Sequence, residues 1–143
     1  MRGRLAVVGT IGVLLTWAAG PAVAAGDADT VSSGPNGVIT QDGTVALSGT
    51  YRCSPEWADQ TVVNSALVTG TTSSSVGDSA PAVCDGREHT WSNQGRPYLG
   101  AAPGRATVEV SLVHLHWTPS SFVPEIRTVA DQRQDVTLTP HSN

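Results

Sequence analysis

Histidines are the residues of this chain best suited to chemistry, and two of them, His114 and His116, are spaced two apart. If they lie on a strand, both imidazoles share one face with their backbones about 6.5–7 Å apart, a spacing that metal sites use. Two ligands do not make a site. A third would have to come from His89, His141 or an acid across the sheet. We therefore expect a polar sheet face and no metal, with a metal site as the alternative.

Glu88 and His89 stand close to Trp91, which suggests an acid and a base in an aromatic cleft. A hydrolase would also need a nucleophile next to an oriented base. The serines lie in Ser-rich segments, and no Gly-x-Ser-x-Gly, His-Glu-x-x-His or phosphate-loop pattern occurs. We expect no catalytic residue and no cofactor, and we expect His89 and Trp91 to pack beside a disulfide.

Aromatic residues near strand ends or in loops give a second lead. Exposed aromatics flanked by Pro and Gly often recognise sugars, peptides or protein surfaces. A small domain with few aromatics also needs most of them for its core. The candidate ligand-contact residues are Trp57, Tyr98, Trp117 and Phe122.

The N-terminus predicts export. Arg2 and Arg4 precede an apolar run over residues 5–17, and Ala22 and Ala24 then supply the small residues of an A-x-A cleavage site. Cleavage after Ala24 fits best, with cleavage after Ala25 as the alternative. The apolar run is shorter than the ~20 residues that a stable membrane anchor needs. We predict a signal peptide over residues 1–24, and a single secreted domain over residues 25–143 with no stable membrane anchor.

Two cysteines, Cys53 and Cys84, remain in the predicted mature chain. An oxidising compartment favours their pairing over two free thiols. The predicted mature chain then has six arginines and twelve acidic residues, because Arg2 and Arg4 are removed with the signal peptide and the chain has no lysine. This acidic balance argues against nucleic acid as a partner, since phosphate binding needs clustered positive charge.

Short β-branched and aromatic runs separated by Gly, Pro, Ser and Asn predict an all-β fold. We expect strands ending at Ile39 and covering residues 44–53, 61–69, 87–91, 105–117 and 136–138, with a hairpin at Asp42-Gly43. The apolar phase changes after Leu112, which predicts a β-bulge or a change of sheet there, with His114 and His116 opposite the apolar face. About six to eight strands and one bridge predict an immunoglobulin-like Greek-key β-sandwich.

Residues 70–79, rich in Gly, Ser and Thr, are expected to form a mobile loop.

Residues 49–53, 84–91 and 135–138, and above all the run Cys-Asp-Gly-x-x-His-x-Trp, resemble a family of small secreted actinobacterial proteins catalogued only as a domain of unknown function. The resemblance implies a secreted β-domain with a bridge between Cys53 and Cys84. It carries no known activity. The likeness to immunoglobulin domains is more general, because those domains place a tryptophan between their cysteines in the third strand. Here Trp57 lies only four residues after Cys53, and Trp91 follows the second cysteine.

The function expected from these features is that of a non-enzymatic extracellular domain that binds a protein, a peptide or a carbohydrate. A small secreted hydrolase or metal-dependent enzyme that uses the histidines is the alternative, and a secreted enzyme inhibitor is a third. The placement of His89, His114 and His116 separates the first two. An enzyme should bring them together with an acid in one cleft.

Overall fold

The computed structural model describes residues 28–141, so the predicted signal peptide over residues 1–24 lies outside the described part. Within this part the chain is all-β, as predicted, with nine strands instead of six to eight and one short 3-10 turn, Pro55–Trp57. The range also contains no helix with the length and apolar character needed to cross a membrane. The strands are β1 Thr30–Ser33, β2 Asn36–Ile39, β3 Val45–Arg52, β4 Thr61–Thr69, β5 Thr72–Ser75, β6 Ala80–Pro81, β7 His89–Gly95, β8 Gly104–His116 and β9 Glu125–Pro140.

Hydrogen bonds join the strands in the order β1-β3-β2-β9-β8-β4-β5, with β6 attached to β4 and β7 attached to β3. Almost all neighbours are antiparallel, and β2 alone among the described strands pairs parallel, with β9. Although β7 and β4 are not ladder neighbours, the Asn93 amide of β7 donates to Ser65 Oγ of β4 at 2.8 Å. The first and last parts of this path therefore meet around a shared core.

Strand β2 joins the two parts of the sheet. It pairs with β3 on one edge and with β9 on the other. A Cβ at Gly37, in the middle of β2, would lie 2.9 Å from both Leu47 and Leu138. Because position 37 has no side chain, these two fully buried leucines, one from each part of the sheet, can both pack against β2.

The predicted strand over residues 44–53 is present as β3, where Val45, Leu47 and Tyr51 are buried. The predicted strand over residues 61–69 is confirmed with the same bounds as β4. A hairpin with Asp42-Gly43 at its turn joins β2 to β3, and Thr40 N–H donates to Thr44 O at 2.9 Å. The other members of the core include Val63, Val108, Val110, Leu112, Val136 and Leu138.

The bulge predicted near Leu112 is present, with a register shift between Leu112 and Val113. Leu112 pairs with Ala130 and Val113 pairs with Thr128, so the extra residue is Val129 of β9. Because β8 itself contains no extra residue, His114 stays on the face of Leu112. The prediction that His114 lies on a polar face is therefore wrong, since its side chain is buried.

The expectation of a mobile loop over residues 70–79 is also wrong. Residues 72–75 form β5, which pairs antiparallel with the end of β4. Val76 is fully buried, and its N–H donates to Ser65 O at 2.9 Å. The pairing with β4 and the burial of Val76 together offset the entropy lost on ordering a segment that is otherwise small and polar.

The indole of Trp91, on β7, crosses the middle of β3. Its Nε1–H donates to Ser32 O of β1 at 2.9 Å. Gly49 of β3 lies between them, and a Cβ there would be 1.9 Å from Ser32 O and 2.8 Å from Trp91 Nε1. Gly49 is thus required by the close approach of three strands.

The disulfide predicted between Cys53 and Cys84 is present, and it closes a segment with a sequence separation of 31 residues. Cys53 follows β3 directly, and Gly86 N–H donates to Cys53 O at 2.9 Å beside the bridge. The bridge ties the end of β3 to the segment that leads into β7.

Replacing Gly49 by alanine should destabilise the fold by about 2–4 kcal/mol, because the added methyl group must displace the Ser32 carbonyl or the Trp91 indole. Gly34→Ala is the matched control, since a Cβ there meets only Ser48 O at 3.4 Å, an ordinary contact. Urea unfolding followed by tryptophan fluorescence measures both. Equal midpoints for the two variants would contradict the close packing at Gly49.

Removing the bridge with Cys53→Ala and Cys84→Ala together should lower the free energy of unfolding by about 3–4 kcal/mol, as expected from loop-closure entropy for a loop of this length. The same urea titration, run on the oxidised wild type and the double variant, checks this. Unchanged stability would mean that the bridge adds nothing to what the strands already hold together.

Candidate functional site

The short turn Pro55–Trp57 is fixed in place by Asp29, which precedes β1. The Asp29 carboxylate accepts from Ser54 N–H at 2.8 Å and from the Trp57 indole N–H at 3.1 Å. The hydroxyl of Thr61, the first residue of β4, donates to Trp57 O at 2.6 Å. These bonds hold the Trp57 ring over the end of β8 and the start of β9.

The Trp57 ring contacts two cationic or titratable groups of those strands. His114 of β8 packs against it at a centroid distance of 5.1 Å. Arg127 of β9, paired with His114 in the ladder, places its guanidinium 4.9 Å from the centroid of the same ring. This is a cation–π arrangement, and it joins the Pro55–Trp57 turn to both strands.

His114 forms a hydrogen-bonded pair with Asp59, with 2.8 Å between His114 Nε2 and Asp59 Oδ1. The imidazole is only 9% exposed and the carboxylate is 70% exposed. The hydrogen bond from His114 lowers the pKa of Asp59 below its usual value of 3.8. In a catalytic histidine–carboxylate pair the carboxylate is buried and the imidazole faces the substrate, so this pair has the opposite arrangement.

His116 lies on the same face as His114, with the two rings 6.3 Å apart and nearly parallel. The Nε2 atom of His114 is already bonded to Asp59. No group of three or more histidine, cysteine or carboxylate side chains within residues 28–141 is placed to hold a metal ion. The structure therefore gives no third ligand to the pair predicted from the sequence.

A second histidine pair lies next to the disulfide. His89 Nε2 is 2.8 Å from Asp85 Oδ1, and the pKa of Asp85 is lowered mainly by this hydrogen bond. The His89 ring stacks on Tyr51 at 5.6 Å, and the Tyr51 hydroxyl accepts from Val83 N–H at 2.8 Å. These contacts hold the turn that follows Cys84 against the end of β3.

The histidines do not form one cluster. His114 is bonded to Asp59, His89 is bonded to Asp85, and no contact joins the two pairs in the described part of the chain. His141 lies beside the β2–β3 hairpin, because its N–H donates to Ile39 O at 2.9 Å. That hairpin precedes β3, whereas His89 pairs with Tyr51 near the other end of β3.

A polar cleft of 320 Å³ lies along the outer side of β4 and β8, near Asp78, Glu109, Asn64 and Ser111. Some of its polar side chains are already paired. Arg133 donates to Glu109 at 2.8 Å, and the Ser79 hydroxyl donates to the Asn64 side chain. The cleft contains none of the aromatic side chains that would stack on a sugar or a base.

An apolar surface is exposed at the end of the β8–β9 hairpin, on the residues that we call the hairpin patch: Trp117 (52% exposed), Phe122 (100%), Val123 (70%) and Ile126 (65%). An aromatic side chain such as Trp117 or Phe122 buries 150–250 Å² of surface when a partner covers it. Patches of this kind on a small domain usually mark an interaction surface.

The turn that carries Phe122 and Val123 is internally hydrogen-bonded. Ser121 N–H donates to Thr118 O at 3.2 Å, and the Ser121 hydroxyl donates to Val123 O at 2.8 Å. Pro119 and Pro124 restrict the backbone on either side. A turn that is ordered before binding loses less conformational entropy when it binds.

Comparison with known proteins adds the family. Residues 27–141 match the family described as "Family of unknown function (DUF6299)". The chain belongs to this family. No curated protein and no solved structure matches the chain. The resemblance expected from the sequence is thus confirmed at the level of an uncharacterised family, and family membership transfers no site residue.

Two of the four predicted ligand-contact residues, Trp117 and Phe122, are exposed members of the hairpin patch. Trp57 is partly buried against the core, beside His114 and Arg127. Tyr98 is 95% exposed but lies near β5, where the following Leu99 N–H donates to Ser74 Oγ at 3.2 Å. Sequence reasoning missed Val123 and Ile126. Both residues lie next to the Pro124-Glu125 pair, in the connection between two predicted strands. Apolar side chains in such a connection are the signal that could have identified them.

Asp59→Asn should flatten the acid side of the stability profile. The pKa of Asp59 is lowered in the folded state, so its contribution is fully present above the unfolded pKa and is lost as the pH falls through the folded pKa. The asparagine oxygen can still accept from His114, so the fold is kept. Urea unfolding between pH 7 and pH 3 checks this. Asp85→Asn should act in the same direction, and profiles parallel to that of the wild type would contradict both assignments.

Proposed function

We propose that this chain is an exported, non-enzymatic binding domain that uses the hairpin patch to contact a protein or peptide partner. The observation that carries the proposal is the exposure of Trp117, Phe122, Val123 and Ile126 on one internally hydrogen-bonded hairpin. Aromatic side chains of this kind supply most of the binding energy in protein interfaces.

For the fold we propose an immunoglobulin-like Greek-key arrangement. Three features support it. Strand β3 pairs with β7, and β8 lies between β4 and β9. Strand β2 pairs with β3 on one edge and runs parallel to β9 on the other. Immunoglobulin-like sandwiches present binding loops at the ends of their strands. The hairpin patch lies at such an end.

Export is supported by two independent features. Residues 1–24 have the charged, apolar and small-residue regions of a signal peptide in the right order. The disulfide between Cys53 and Cys84 is of the kind that persists in oxidising compartments.

The histidines favour a binding function over the enzymatic alternative. In the His114–Asp59 pair, the side that faces solvent is the carboxylate, so the imidazole is poorly placed to take a proton from a substrate. Within residues 28–141, neither the His89 ring nor the His114 ring is hydrogen-bonded to a serine, threonine or cysteine side chain. A nucleophile next to an oriented base is what covalent hydrolysis would require.

The partner is best described as a protein or peptide. The chain is acidic, with a formal net charge of −4 over its full length, and this disfavours nucleic acid. Around the hairpin patch, charges of both signs alternate, with Glu125 and Arg127 on either side of Ile126. An apolar centre with a mixed-charge rim is the usual composition of a protein interface.

Photo-crosslinking tests the proposal. A photoreactive benzoyl-phenylalanine is placed at position 122 in one variant and at position 98 in another, because Phe122 and Tyr98 are similarly exposed aromatics at different sites. Each variant is irradiated with the secreted fraction of the producing cells and also alone. We expect a discrete covalent adduct from position 122 and none from position 98. Equal labelling from both sites, or no adduct from position 122, would contradict a binding role for the hairpin.

A further inference from the structure

The direction of the backbone groups in the β8–β9 hairpin follows from one hydrogen bond. Leu115 N–H donates to Gln60 O at 2.9 Å, so the backbone groups of Leu115 are directed toward β4. Those of its neighbours His114 and His116 are therefore directed toward β9, where they meet Arg127 and Glu125.

Within residues 28–141, the opposite edge of β9 has backbone groups that no strand pairs with. If Glu125 and Arg127 use their backbone groups on β8, those of Ile126 and Thr128 are directed away from β8. Strand β2 pairs with β9 only at residues 137–140, and no other described strand pairs with the edge at residues 124–128. An unpaired edge beside exposed apolar side chains is a template for another strand.

This edge is complementary to itself. When two copies of residues 124–128 run antiparallel about a two-fold axis at Ile126, Ile126 of one copy faces Ile126 of the other, and their backbones exchange two hydrogen bonds. Glu125 then lies opposite the second copy's Arg127, and Arg127 opposite the second copy's Glu125. These are non-hydrogen-bonded pairs, in which side chains approach most closely, and opposite charges there are stabilising.

We propose that the hairpin patch binds a second copy of this chain through antiparallel pairing of β9 about Ile126. The inference rests on the binding function proposed above and names its partner. Thr128 N–H of each copy donates to the other's Pro124 carbonyl, which gives four backbone hydrogen bonds in all.

Two features limit the length of the pairing. Pro124 has no N–H to donate, and the extra residue Val129 interrupts the ladder on the other side. The paired segment is therefore short, and the interface lies at the small end of specific protein interfaces. We expect a reversible dimer with a dissociation constant on the order of tens of micromolar.

A second copy fits this edge better than a membrane or an unrelated strand. Glu125 and Arg127 flank Ile126 symmetrically, an arrangement that antiparallel self-pairing satisfies twice. An anionic membrane would be repelled by an acidic chain, and the patch itself carries both signs of charge.

Charge reversal tests the proposal on the full mature chain. Glu125→Arg and Arg127→Glu each replace two attractive pairs with two like-charge pairs, and each should weaken dimerisation by about tenfold or more. The double variant Glu125→Arg/Arg127→Glu restores opposite charges across the axis and should recover the wild-type affinity. Sedimentation equilibrium over roughly 10 µM to 1 mM measures all four proteins. Recovery in the double variant separates lost pairing from lost Arg127–Trp57 contact, because the double variant also lacks Arg127.

Amide hydrogen exchange gives a second measurement. Exchange at Ile126 and Thr128 should slow as the protein concentration rises, whereas exchange at Arg127, which is bonded to β8 in both states, should not change. A wild-type chain that stays monomeric at 1 mM, or a double variant no better than the single ones, would overturn the proposal. If the chain is monomeric but position 122 still crosslinks to another molecule, self-pairing is wrong and the binding function stands.

Discussion

The crossing of Trp91 over Gly49 fixes the centre of this fold. The indole bond to Ser32 sets the relative positions of β7, β3 and β1, and it can form only because position 49 has no side chain. A one-residue shift of β3 would place a side chain under the indole and would turn the apolar face of β3 to solvent. The register of β3 in turn brings Tyr51 under His89 and places Cys53 where it meets Cys84.

From Cys53 the chain enters the Pro55–Trp57 turn at once, so the disulfide also determines where Trp57 can lie. Asp29 and Thr61 complete its placement, and the ring then covers His114 and receives Arg127. Polar groups that could have formed a reactive centre are used to hold strands together. Asp59 serves His114, and Asp85 serves both His89 and the backbone of Arg87. At this end of the molecule these polar side chains tie strands and turns to one another, whereas the side chains of the hairpin patch are apolar and exposed.

Local sequence patterns predicted the strands whose positions depend on residues close together in the sequence. Runs of β-branched and apolar residues were sufficient to locate β3 and β4, because one face of each strand packs on the core. Residues 70–79 were misjudged because pairing with β4 and the burial of Val76 order a segment whose composition is that of a loop. The burial of His114 depends on Asp59, which is 55 residues away in the sequence. No periodicity reports such a pairing, and the phase change at Leu112 was correctly located but attributed to the wrong strand, since the extra residue is in β9.

The exposure of the hairpin patch follows from strand lengths. Strand β4 begins at Thr61, which pairs with His114, whereas β8 continues to His116 and β9 begins at Glu125. The hairpin thus extends past its neighbour, and no strand of the described chain covers its outer edge. The bulge at Val129 prevents the free edge from pairing over a long register, which protects the protein from open-ended aggregation. What remains is a short segment with charges of alternating sign and an isoleucine at its centre, long enough to pair once and too short to propagate.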